Sequence, residues 1–122
     1  MSHSQYKYTM ARYASCLDLP EVDFDAVNHS LQTSISRVLE SCDLSIIYSS
    51  KDYVVAKEKP GKINLSELTT IEVLIHPPNS LSTQVQLNLV VKNDQLPLKS
   101  NNHCKRVFES IHQAILRSMV NP

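Results

Sequence analysis

Glycine is almost missing from this sequence: Gly61 is the only one in 122 residues. Glycine-rich loops that cradle phosphate need several glycines at fixed spacing, so neither common type is present, and most of the familiar nucleotide-binding enzymes are excluded. Turns must instead be built from Asn, Asp, Ser and Pro. Cysteine is scarce too. Cys16, Cys42 and Cys104 are odd in number, far apart and form no CxxC pair, which argues against a disulfide framework or a thiolate zinc site. No apolar run approaches the ~18 residues of a membrane span. Met1 to Ser15 carry no apolar signal-peptide core, so a cytoplasmic location is expected. Neither sign of charge dominates, with 12 basic and 12 acidic residues. A strong pull toward nucleic acid or an anionic membrane would show as a basic excess.

What is present is enough for one folded domain. The chain is 42% hydrophobic and 20% charged, unlike a disordered segment and sufficient for a core at this length. A single domain over 1–122 is expected, with residues 1–5 as a frayed end.

Tyr6 to Leu17 reads as a strand, broken at Leu19-Pro20-Glu21. Asp23 is placed to cap a helix running to about Ser41, with Phe24, Val27, Leu31, Ile35, Val38, Leu39 and Cys42 on one stripe. The period then changes to two. Leu44 to Ser49 and Tyr53 to Glu58 form a hairpin across Ser50-Lys51-Asp52. After a turn at Lys59-Pro60-Gly61-Lys62, Leu68 to His76 is a strand with Ile71, Val73 and Ile75 on one face. Thr83 to Lys92 is another, with Val85, Leu87, Leu89 and Val91 opposite Gln84, Gln86 and Asn88. A last helix starts near Ser100 to Asn102, and its stripe is Cys104, Val107, Phe108, Ile111, Ile115 and Met119.

The expected fold is therefore α+β, in the order β-α-β-β-β-β-α. An antiparallel sheet carries both helices on one face, since each helix has a single apolar stripe. This order resembles one repeat of the TATA-binding-protein-like fold. It also looks like a reduced helix-grip fold, the class used by small-ligand carriers such as the plant pollen allergens. Such a likeness says little about function. The stretch from Val91 through Leu98, continued by Asn101-Asn102-His103-Cys104, resembles small conserved cyanobacterial proteins of unassigned function. That resemblance covers roughly the last third of the chain and implies no catalytic residue.

Each candidate site has a plain structural explanation beside it. Cys104 lies in the first turn of the last helix next to His103, Lys105 and Arg106, where a helix N-terminus and cations favour a thiolate. It also begins a regular apolar stripe, as a buried cysteine would. The five histidines, His3, His29, His76, His103 and His112, show no metal-ligand spacing. Lys57, Lys59 and Lys62 near the second hairpin turn suit an anion, or simply a solvated loop. Tyr6, Lys7, Tyr8, Arg12 and Tyr13 could stack on bases, or cover a core edge. Asp18, Glu21, Asp23 and Asp25 surround a helix start, where negative charge complements the dipole. The open sheet face would present Thr70, Glu72, Gln84, Gln86 and Asn88, with Ser45 or Tyr48. Glu72 reads there as a lone acid among neutral amides.

No nucleophile motif, metal site or cofactor site emerges, so catalytic residues, metal and cofactors are all expected to be none. The leading expectation is a non-enzymatic protein-binding or assembly module that uses the open sheet face or an edge, with another protein or a second copy as partner. The alternatives are small-ligand binding between sheet and helices and nucleic-acid binding on the sheet. Thiol chemistry at Cys104 is the sole enzymatic candidate.

Overall fold

The computed structural model describes residues 11–18, 24–61, 64–77, 85–94 and 102–120, without the side chains of 24–30, 119 and 120. Expectations for Tyr6, Lys7, Tyr8, Asp23, Lys62, Gln84 and Met119 lie outside the described residues or side chains.

Strand β1 (Arg12–Asp18) is followed by helix α1 (Phe24–Ser41). Strands β2 (Leu44–Ser50), β3 (Tyr53–Glu58), β4 (Thr70–His76) and β5 (Gln86–Lys92) come next, and helix α2 (His103–Ile115) closes the series. The strands form one five-stranded sheet in the order β1-β5-β4-β3-β2, antiparallel at every junction. Consecutive strands from β2 to β5 are neighbours in turn, while α1 carries the chain from β1 at one edge of the sheet to β2 at the other. Helix α1 packs on β2 and β3, α2 packs on β1 and β5, and the helices touch each other. Both therefore lie in one layer, which leaves the other sheet face uncovered by described residues.

The core sits between these layers. Leu31, Ile35, Val38 and Leu39 of α1 meet Val54, Ala56, Ile71, Val73, Ile75, Leu87, Leu89 and Val91 of the sheet, with Cys104, Ile111 and Ile115 from α2. These are the stripe and alternate-residue positions that the two periodicities place on one side. Two strands start later than expected, β5 at Gln86, past Val85, and not at Thr83. Strand β4 begins at Thr70 and not Leu68, because Leu65–Glu67 closes a 3-10 turn through Glu67 N–H to Asn64 and Leu68 N–H to Leu65. Helix α2 begins at His103 with Asn102 as its cap, within the Ser100 to Asn102 start expected, and the cap side chain accepts from the Lys105 N–H at 2.9 Å.

The shortage of glycine has a visible consequence at the end of α1. Asp43 adopts φ 65°, the left-handed conformation that usually falls to glycine after a helix. Its N–H and that of Cys42 close the last turn on Glu40 and Leu39, both at 3.0 Å. Gly61, by contrast, has no positive φ and nothing within 4 Å of where a Cβ would stand.

Candidate functional site

The register orders the uncovered face into rows that run across the strands. Arg12, Lys92, Thr70, Lys57 and Ser45 form one row. The next is Ala14, Val90, Glu72, Val55 and Tyr48. Then come Cys16, Asn88, Leu74, Tyr53 and Ser50, and last Asp18, Gln86 and His76. The middle rows are mainly apolar. Val90 is only 8% exposed although it lies on this face, while Leu74 is 36% and Tyr48 55% exposed. The Tyr48 and Tyr53 rings lie 5.9 Å apart. A shallow depression of about 400 Å³ lies over β1, β5 and β4, lined among others by Ala14, Cys16, Leu74 and Val90.

The neutral, amide-rich face expected from the sequence is corrected by this arrangement. Gln86 and Asn88 hold neighbours within the sheet: Gln86 donates to Asp18 at 2.9 Å, and Asn88 bonds His76 at 2.9 Å. Glu72 is not a lone acid, since Lys92 Nζ lies 2.9 Å from its carboxylate. Thr70 is half-buried in the basic row. Lys57 is an exposed residue of β3 in that row and not part of the loop, whereas exposed Lys59 lies 3.4 Å from Asp43 on the opposite side of the hairpin. Both Ser45 and Tyr48 reach the open face because the β2–β3 register shifts between Ile46 and Tyr48, placing exposed Ile47 in a bulge.

On the helix side the polar groups converge on Glu58, at the end of β3. Its Oε1 accepts from the backbone N–H and the hydroxyl of Thr69, both at 2.8 Å, and Thr69 is 1% exposed. His103 Nε2 lies 2.8 and 3.0 Å from the two carboxylate oxygens. The cleft beside this pair has a volume of about 240 Å³ and is lined by Cys42, Leu44, Arg106, Val107 and Ser110. Sequence reasoning missed Glu58. A signal was present, because Val54, Ala56 and Glu58 share the buried phase of β3, so an acid continues a core row.

Of the two readings of Cys104, the structure takes the buried apolar one. Cys104 is fully buried and its Sγ lies 3.4 Å from the Val91 carbonyl. Burial first, and the charge of Glu58 second, push its thiol up to about 11, against a hydrogen bond from the Asn93 backbone. His103 turns to Glu58 instead of the sulfur. Such a thiol packs as an apolar group rather than reacting as a thiolate.

Tyr13 is also structural. Its hydroxyl accepts from the Asn102 side chain at 2.7 Å, and its ring meets Phe108 at 6.0 Å. His112 bonds Ser15 at 3.0 Å. Among the described residues no group of three or more His, Cys, Asp or Glu is placed to hold a metal ion, and no helix is long and apolar enough to cross a membrane. Comparison with protein-family models and with curated proteins finds no match for this chain.

Proposed function

We propose that this chain is a non-enzymatic protein-binding or assembly module, and that its contact surface is the open face of the sheet. The observation that carries this reading is the layout of that face. A mainly apolar centre of Ala14, Val90, Val55, Leu74, Tyr53 and Tyr48, interrupted by Glu72 and Asn88, lies between a row of Arg12, Lys92 and Lys57 and a row of Asp18, Gln86 and His76. Apolar centres with polar rims and available aromatics are the anatomy of protein contacts. The polar rim groups are largely tied to one another, so they are pre-ordered and lose little freedom when covered. The strand order fits one repeat of the TATA-binding-protein-like fold and a reduced helix-grip fold alike.

Affinity purification from the native cell tests the reading, with the wild type beside Leu74→Lys and Tyr48→Lys. Both substitutions sit on exposed positions and should leave the fold intact. A protein retained by the wild type and lost from both variants is the expected outcome. Retention independent of the face overturns the reading, as does a strictly monomeric protein that retains nothing.

The alternatives have weaker support. The cleft beside Glu58 and His103, at about 240 Å³, falls below the ~300 Å³ at which small-molecule pockets begin. For nucleic acid, the basic row is partly neutralised by Glu72 and the chain carries no net charge.

A further inference from the structure

Strand β1 is an edge of the sheet, and among the described residues no strand pairs with its outer side. Ala11 accepts from the Asn93 N–H at 3.1 Å, which fixes the hydrogen-bonding phase: Tyr13, Ser15 and Leu17 turn their backbone groups toward β5. The backbone groups of Arg12, Ala14, Cys16 and Asp18 therefore point outward, and all four residues are exposed. The other edge differs. The bulge between Ile46 and Tyr48 breaks the regular spacing of β2, a known way to blunt an edge, whereas β1 has no register shift along its length.

We propose that a second copy of this chain pairs antiparallel along β1, about a two-fold axis normal to the sheet and beside Ser15. This rests on the reading of the chain as an assembly module and names one partner for it. In this register Arg12 faces the partner's Asp18, Ala14 faces the partner's Cys16, and Ser15 faces the partner's Ser15. The outward backbone groups of each strand meet those of the other in mutually bonded pairs. Opposite charges meet at both ends of the ladder, and small residues meet on the open face near its centre. A slip by one residue puts open-face side chains opposite core-face ones. A slip by two sets Arg12 against Cys16 and leaves Asp18 unpaired. The seven-residue strand thus singles out its own fully paired register. The helices allow it. Helix α2 lies over β1 and β5, so the two copies of α2 come about 10 Å apart, a normal packing distance.

Sedimentation of the intact chain tests the charge pattern. Arg12→Asp and Asp18→Arg each disturb the contact twice by symmetry and should weaken dimerisation roughly tenfold. Combining them in one chain should restore it. Ala14→Cys brings a thiol opposite the partner's Cys16, at the ~5.5 Å Cα separation of a bonded pair, which is within disulfide range. Mild oxidation should then give a covalent dimer, and Cys16→Ser in the same chain should abolish it. Circular dichroism confirms that each variant is folded. A wild type that stays monomeric at about 100 μM overturns the proposal. So does a double charge variant as weak as the single ones, or an Ala14→Cys chain that stays monomeric on oxidation. If the wild type is monomeric yet loses a captured protein through Leu74→Lys, only the β1 pairing is refuted and the open-face reading stands.

Discussion

Removing the carboxylate of Glu58 should be the most damaging single polar change in the described part of the molecule. In Glu58→Ala, the Thr69 N–H and hydroxyl, both 2.8 Å from Oε1, lose their acceptor. Thr69 is 1% exposed, so water cannot replace it without opening the structure. His103 loses its partner as well, although both side chains of that pair are 18% exposed and some solvent screening applies. A bond to a charged acceptor contributes about 1.5–3 kcal/mol and a buried orphan costs about 1–3. Allowing for overlap between these, the loss should be about 3 kcal/mol, a large part of the ~5–15 kcal/mol by which such domains are stable. Urea unfolding reads this as a midpoint lower by roughly 2 M, at a slope near 1.5 kcal/mol/M. Glu58→Gln keeps an acceptor for Thr69 and should cost about 1 kcal/mol, which separates the hydrogen bonds from the charge. A double-mutant cycle with His103→Ala should give a coupling of about 1 kcal/mol. The reasoning fails if Glu58→Ala costs under about 1 kcal/mol, or if the Gln variant is as damaged as the Ala variant.

Three further outcomes follow from particular groups. The Cys104 thiol is raised from 9.0 to about 11 in the folded chain, so its contribution is intact below about pH 9 and is lost as pH rises toward 11. Stability should fall by roughly 2–3 kcal/mol more across that window in the wild type than in Cys104→Ala. Parallel slopes in pH-dependent unfolding would refute it. In the native state at pH 8, a thiol reagent should modify exposed Cys16 rapidly and buried Cys104 only at the rate of unfolding. Equal rates would contradict the burial. Asp43→Gly should raise stability by up to ~1 kcal/mol, because glycine enters the left-handed region freely and the surface contact with Lys59 contributes little. A loss of stability in thermal unfolding would show that the Lys59 contact matters more than the backbone.

The element order was legible because the hydrophobic period changes from 3.6 to 2 and back, and the core stripes follow from it. Leu31, Ile35, Val38 and Leu39 are buried as their spacing requires, as are Ile71, Val73, Ile75, Leu87, Leu89 and Val91. The rows of the open face were not legible, because they are made by register between strands far apart in the chain. Arg12 meets Lys92, and Lys92 meets Thr70 and bonds Glu72. Where strict alternation fails, the departure itself was informative. The run Ile46-Ile47-Tyr48 puts three apolar residues in succession and marks the bulge. Val90 next to Val91 puts an apolar residue in the polar phase, and that residue forms the floor of the open face. The Glu58–His103 pair joins positions 45 residues apart, which no local period reveals.

Area ties the open face to the β1 edge. Strands about 4.8 Å apart and about 3.3 Å per residue long make the five-stranded face roughly 24 by 23 Å, or about 550 Å². A specific contact takes about 800 Å² of accessible surface from each partner, and two joined faces offer more of it than one. Pairing along β1 puts both open faces on the same side and joins their apolar centres through Ala14 and Cys16, giving about 1,100 Å² without a seam of unpaired backbone. Arg12→Asp should therefore weaken capture of a face-bound protein as well as dimerisation, although Leu74, Val90 and Tyr48 are untouched. The chain carrying both Arg12→Asp and Asp18→Arg should recover the two together. If capture by Arg12→Asp equals that of the wild type while dimerisation is lost, a single face suffices and the coupling between edge and face is refuted.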